Sequence, residues 1–370
     1  MPGKLAGLRQ KCIAVNLVQL KKLNLMGISN QEYFLLFVLT YLLVGALTPL
    51  MRKIAIATDV VDRPNALHKS HKQPVPYLGG VAIILGVVII SYSASLFSNY
   101  TSSTFWLASS VLGPALFIGL IGLWDDIKNL KPLPRFIAQS LAGIFTAIIL
   151  IATDTMGNPT GSTLFDSLFT ILWVVGICNA INFFDNLDGG AAGTLAISAV
   201  TLAYLSLSGD QYLIAALATV TAGATLGFLV WNKSPAKIYM GDAGALFLGF
   251  LIATLTIRLN PNVKSEVGSY FVPILLLAIP ILDTSVAVLS RVRRHVSPFQ
   301  GGKDHLSHRL VRAGMSRKQA AITLWSLTGL FAVIVILINQ PSLSIHIYLI
   351  IGAGLLWLLL FALFFTTKDS

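Results

Sequence analysis

The chain has 370 residues, 55% of them hydrophobic and only 11% charged, with a net charge of +11 and a mean hydropathy of +0.78. Soluble domains carry roughly 25% charged residues, so a deficit this wide excludes an ordinary water-soluble fold and points to a polytopic membrane protein. The apolar runs lack the alternation of barrel strands, and the two cysteines, Cys12 and Cys178, build neither a disulfide framework nor a thiolate metal site.

Residues 1–30 hold Lys4, Arg9, Lys11, Lys21 and Lys22 and no acid. They are expected to be an extension to a single membrane domain of residues 31–370. Either they lie as an amphipathic helix at the interface, or synthesis starts at Met26. No apolar region with a small-residue cleavage site marks them as a secretory signal.

Crossing about 30 Å of hydrocarbon takes roughly 20 helical residues. Eleven runs approach that length: 33–50, 77–97, 104–124, 136–152, 165–184, 190–207, 211–230, 244–258, 269–290, 319–339 and 344–366. The expected fold is therefore all-α, with about eleven transmembrane helices. Arg and Lys crowd into alternate connections, 51–76, 125–135, 231–243 and 291–318, which with Lys368 hold 19 cations. The opposite connections hold Arg258 and Lys264. The positive-inside rule puts the cation-rich side and the C-terminus in the cytoplasm of a cell whose plasma (inner) membrane holds the protein. The same asymmetry accounts for the net charge without nucleic acid as a partner.

The cation-rich side also collects the chemistry, so the active site is expected on cytoplasmic loops. The first such loop, "DVVDRPNALHKSHKQPVPYLGG", contains His68, Lys69, His71 and Lys72. In the second, "GLWDDIKNLKPLPR", adjacent Asp125 and Asp126 repel each other unless a cation offsets them, and hard oxygen ligands suit Mg²⁺ or Mn²⁺. The third, "NAINFFDNLDGG", spaces Asn179, Asn182, Asp185 and Asp188 three apart. If the preceding helix continues through it, Asn182 and Asp185 share a face at the mouth of a span. Carboxylates in such places are costly, and they persist where they do a job. The fourth, "WNKSPAKIYMGDAGALFLG", sets Asp242 between glycines, with Tyr239 three residues earlier; its turn N–H groups are suited to meeting an anion. The fifth, "RVRRHVSPFQGGKDHLSHRLVRAGMS", carries His295, His305 and His308 among six cations, of which Arg309 is one. Asp283, in "PILDTSVAV", is expected to pair with that basic loop. There is no Walker A sequence, no dinucleotide fingerprint, no H-E-x-x-H and no G-x-S-x-G.

Each loop alone has a plain explanation as solvated charge, but together they offer oxygen ligands for one divalent cation and cations for phosphates. In this order the motifs resemble those of the polyprenyl-phosphate N-acetylhexosamine-1-phosphate transferases, glycosyltransferase family 4. The resemblance runs from about residue 50 to 320: "HKQPVPYLGG", "DD" at 125–126, "NAINFFDNLDGG", "MGDAG" and "SPFQGGKDHLSHRL". "PILDTS" and "DHLSHRL" bring it nearest the undecaprenyl-phosphate GlcNAc-1-phosphate transferase branch, which primes O-antigen, teichoic-acid and related glycans.

The resemblance implies a Mg²⁺-dependent transfer from a UDP-N-acetylhexosamine to undecaprenyl phosphate, releasing UMP, amid membrane lipids and with a homodimer allowed. By position, Asp125 and Asp126 match the catalytic acidic pair and Asp242 a catalytic, metal-binding acid joined by Asn182. Asp185, Asp188 and Tyr239 match nucleotide-binding positions. His71, Lys72, His305, His308 and Arg309 match positions that handle phosphate and sugar. Three departures stand out. Ser307 replaces a histidine, Tyr77 stands where a basic residue is common, and Asn129 occupies the usual lysine position, leaving Lys128, Lys131 or Arg135 for that task. The rival readings are a secondary transporter of an anion, disfavoured because the polar residues sit at one face rather than at midplane, and a non-catalytic lipid scaffold.

Overall fold

Apolar runs in a lipid solvent must satisfy their own backbone, so they fold as helices. In the computed structural model, which describes residues 29–62, 74–97, 102–261, 263, 266–297, 302–340 and 345–367, nearly all do. Most of the N-terminal extension, together with His71 and Lys72, lies outside the described residues.

Helix α1 spans Asn30–Ala57 and opens on a capping box in which Ser29 and Glu32 satisfy each other's backbone N–H groups. A two-stranded antiparallel ribbon follows, β1 (Val61–Asp62) with β2 (Val75–Pro76), registered Val61 to Pro76. Then come α2 (Gly79–Phe97), α3 (Ser102–Lys128), α4 (Pro132–Thr153), α5 (Thr163–Phe184), α6 (Gly190–Ser208), α7 (Tyr212–Asn232) and α8 (Gly241–Arg258). Beyond them lie α9 (Glu266–Leu276), α10 (Ala278–Arg293), the short α11 (Leu306–Arg312), α12 (Arg317–Ile338) and α13 (His346–Thr366). Among the described residues ten helices are long and apolar enough to cross a membrane. An eleventh span results if α9 and α10, bent by 74° at their junction, are one crossing, which matches the expected count. The bend has an identifiable cause: Pro280 has no N–H to give the carbonyl of Leu276, so the ladder breaks at Leu277.

Helix α8 is the axis of the bundle, with every residue from Ala243 to Arg258 buried. The outer helices α1, α4, α5 and α13 instead expose Phe34, Leu141, Leu172, Leu359 and similar side chains, as a lipid-facing ring should. At the tip of α8 the packing is backbone on backbone. A Cβ on Gly80 would stand 2.1 Å from the nitrogen of Gly244, so α2 crosses α8 at a distance only glycine allows. Gly79 and Gly80 donate to the carbonyls of Tyr239 and Met240, and Tyr239 donates to Pro76. The ribbon, α2 and α8 are thereby knitted into one unit beneath the site.

Candidate active site

Asp125 and Asp126 occupy the last turn of α3 and do different work. Asp126 accepts hydrogen bonds from the backbone N–H groups of Asp242 (2.8 Å) and Ala243 (3.0 Å). It therefore caps the N-terminus of α8 from another helix, a favourable place for a carboxylate. The anion met by the Gly241–Asp242 turn is thus the protein's own. Gly241 has φ +69°, and a Cβ there would meet the Asp126 carboxylate at 2.6 Å, which reserves the position for glycine. Asp125 accepts from Leu130 N (2.5 Å) and from Arg135 Nη1 (2.5 Å). That same Arg135 nitrogen reaches Asp242 Oδ2 at 2.6 Å, while Asn182 Nδ2 donates to Asp242 Oδ1 at 2.6 Å.

Helix α5 does not continue through the third loop. It stops at Phe184, where Asp185 is the C-cap and Asn186 Nδ2 donates back to the Phe183 carbonyl; Gly189 follows at φ +71°. The polar-glycine run "DNLDGG" ends the helix. Asp185 and Asp188 are therefore presented from a turn rather than a helical face. Asn179 faces away, tied to Gln139 Oε1 (2.6 Å) and Val175 O (2.7 Å). Burial pushes the Asp185 carboxyl up to about 7, helped by the charges of Asp242 and Asp188. Its carboxylate takes no hydrogen bond from the described residues. Asp188 accepts from Arg317 Nη2 (2.8 Å) and Ala236 N (3.2 Å). Tyr239 lies at the same end, and burial, reinforced by Asp188, raises its phenol to about 12.

On the far wall, His305 Nδ1 meets Asp283 Oδ2 at 2.7 Å and His305 Nε2 meets Arg291 Nη2 at 3.2 Å. Arginine has only donors, so Nε2 accepts and Nδ1–H donates to the buried Asp283. Asp283 also accepts from Leu306 N (2.7 Å), which realises its expected pairing with the basic loop. His308 is half-buried, and burial, with His305 next, drives its imidazole down to about 4, so it is neutral near pH 7. Ser307, the departure from the family pattern, donates to Asn186 Oδ1 and joins the two loops. A cavity of about 420 Å³ opens between these walls, lined by Asp125, Asp126, Asn182, Asp185, Asp188, Tyr239, Asp242, His305 and His308 among others.

With that geometry in view, the comparisons with known proteins converge. Residues 107–260 match the profile described as "Glycosyl transferase family 4". The "Probable undecaprenyl-phosphate N-acetylglucosaminyl 1-phosphate transferase" of Bacillus subtilis is 33% identical over 319 residues, 85% of this chain and 87% of that protein. The chain belongs to glycosyl transferase family 4. The "Decaprenyl-phosphate N-acetylglucosaminephosphotransferase" of Mycolicibacterium smegmatis is 30% identical over 344 residues, 85% of this chain and 82% of that one. The "Phospho-N-acetylmuramoyl-pentapeptide-transferase" of Anoxybacillus flavithermus is 30% identical over 323 residues, 82% and 96% of the two chains. This chain is a phosphoglycosyl transferase of that family, set in a membrane on multiple spans.

In this family 4 transferase nine of the twelve residues singled out from the sequence line one cavity. His71 and Lys72 lie outside the described residues. Arg309 is placed elsewhere: 1% exposed, it donates to the carbonyls of Asp304, Phe364 and Thr367 and to Ser290 Oγ. It braces the end of α13 rather than reaching a ligand. Among the other lining residues, Tyr77 and Asn129 were noted in the sequence only as departures from the family pattern, and Asp62 of the ribbon and Arg317 were not singled out. Arg317 had a local signal, because a cation in the first turn of a helix opposes the helix dipole and needs a partner such as Asp188.

As donors for a divalent cation, Asp242, Asn182 and Asp185 supply hard oxygens at one end of the cavity, the chemistry Mg²⁺ takes. Among the described residues no three His, Cys, Asp or Glu side chains are yet gathered as a cage. The Arg135 guanidinium stands between two of the carboxylates instead. The donor types suit such an ion, and the Arg135 guanidinium occupies one of the Asp242 oxygens.

Proposed function

We propose that the protein transfers N-acetylhexosamine-1-phosphate, with GlcNAc as the sugar, from a UDP-sugar to undecaprenyl phosphate and releases UMP. This would be the first membrane step in building a cell-envelope glycan. The names of the relatives from Bacillus and Mycolicibacterium support a polyprenyl phosphate acceptor and GlcNAc. The observation that carries the reading is the convergence of Asp125, Asn182, Asp185 and Asp242 from three separate stretches of chain at the ends of spans. There a bilayer-held acceptor and a water-soluble donor can meet.

In the reaction an oxygen of the acceptor phosphate attacks the β-phosphorus of the UDP-sugar. The bond from that phosphorus to the bridging oxygen breaks, and its electron pair leaves on UMP. Mg²⁺, or Mn²⁺ in its place, supplies neutralisation of the diphosphate charge. Asp242 and Asn182, with Asp185, would hold it. Asp125, steadied by Leu130 N, orients the acceptor phosphate, while Asp126 keeps the tip of α8 and therefore Asp242 in place. Tyr239 and Asp188, the latter fixed by Arg317, take the nucleotide. His308, neutral, serves the diphosphate and sugar, and His305 is held in one tautomer beside it. The motif assigns His71 and Lys72 to the phosphates. Phosphoryl transfer is chiefly a matter of such positioning and charge.

Two measurements test this reading. A panel of UDP-sugars with undecaprenyl phosphate should give UMP fastest from UDP-GlcNAc, with EDTA stopping release and Mg²⁺ restoring it; release indifferent to chelator would refute the metal assignment. The site is expected on the cytoplasmic face, with the C-terminus on the same side. A cysteine at Lys303, which is exposed beside the histidine loop, should then be labelled by an impermeant maleimide only in inverted vesicles. Labelling in intact cells would reverse the topology.

A further inference from the structure

Arg135 links two of the cavity's carboxylates, and it does so through a single nitrogen: Nη1 is 2.5 Å from Asp125 Oδ2 and 2.6 Å from Asp242 Oδ2. The second oxygen of Asp242 is taken by Asn182, so both of its oxygens have protein partners. We infer that Arg135 is an exchanging side chain: it holds Asp125 and Asp242 together until a divalent cation takes Asp242, and it then turns to the phosphate of the lipid acceptor. This deepens the metal-dependent reading and rests on it.

Three features support the exchange. A guanidinium and a divalent cation repel strongly at hydrogen-bond range in a half-buried site, so they do not share one carboxylate oxygen. Asp242 must lose one positive partner to take the other. Second, nothing in α4 itself fixes Arg135 where it is. It lies at the end of the helix's first turn, directly after Pro134, where the dipole disfavours a cation, and its Nε and Nη2 take no partner among the described residues. Its side chain is 23% exposed. Third, Arg135 stands where protein meets lipid, since its neighbours Leu133, Phe136 and Ile137 all face outward and are about half exposed or more. From there a planar fork of donors matches a phosphate carried by the bilayer, a geometry that lysine lacks. Neither Lys128 nor Lys131 pairs with an acid among the described residues, so Arg135 takes the task that the sequence left open among three cations.

The purified chain in nanodiscs is titrated with Mn²⁺, read by electron paramagnetic resonance, as wild type and as Arg135→Ala, Arg135→Gln and Arg135→Lys. Removing the charge should tighten Mn²⁺ binding by about tenfold in both neutral variants, whereas Arg135→Lys stays near wild type. Equal affinity in all four proteins overturns the exchange alone. Absence of Mn²⁺ binding in every protein, wild type included, overturns the exchange and the metal-dependent reading together. In steady state the neutral variants should raise the KM for undecaprenyl phosphate by about tenfold while that for UDP-GlcNAc moves less than about twofold. A rise confined to the nucleotide KM would also end the proposal. Using two neutral variants covers the case in which one of them fails to fold.

Discussion

Asp242→Ala is expected to cut UMP release from UDP-GlcNAc by at least about 10³-fold, the scale seen when one preorganised charge-stabilising group is removed. Asp242 is where four elements meet: its carboxylate binds Arg135 of α4 and Asn182 of α5, and its N–H is held by Asp126 of α3. The truncation keeps the backbone bond to Asp126, so α8 retains its cap and the protein should still insert and purify. Loss of activity with an unchanged melting profile marks a chemical role. Turnover within tenfold of wild type would remove Asp242 from the centre of the reaction.

The second large effect lies outside the cavity, where Gly80→Val should leave little folded protein. The first added carbon already meets Gly244 N at 2.1 Å and its Cα at 2.5 Å, and both are backbone, with no flexible side chain to move aside. Overpacking of this kind costs about 1–3 kcal/mol where the surroundings can yield, and more where they are main chain. Gly80→Ala should show the same fault in milder form, as a lower melting temperature together with slower UMP release, because Gly244 lies two residues beyond Asp242. Gly113→Ala is the matched control: nothing lies within 4 Å of its added carbon, so stability should hold or rise. If Gly80→Ala melts and turns over as the wild type does, then α2 does not set the position of the α8 tip.

Much of this was legible in the sequence. Eleven apolar runs read as spans because hydrophobic length is a local property, and the structure returns ten such helices plus a bent pair among the described residues. The acidic and amide motifs were legible as a set because their residue types share one chemistry. What escaped depends on which partner a side chain finds in three dimensions. Asp125 and Asp126 are neighbours in sequence and identical in type, yet one faces the cavity's ion pair and the other seals a helix end contributed by residues 241–243. Arg309 resembled a ligand-binding cation because of its loop, whereas burial and four oxygen acceptors make it a brace. The end of α5 at Phe184 was not foreseen, because the three-residue spacing was read as a helical face continuing to Asp188, and the back-bond from Asn186 that completes the stop depends on the fold.

The seating of α8 carries one more consequence. A rod wrapped by protein along its whole length touches no acyl chains, so thinning, thickening or stiffening of the bilayer is felt first by the outer ring of helices. Those helices can tilt to follow the lipid while the rod keeps its height. A protein that must catch a greasy acceptor from a fluctuating sheet thus has its anchoring acid mounted on the part of the molecule least stirred by that sheet.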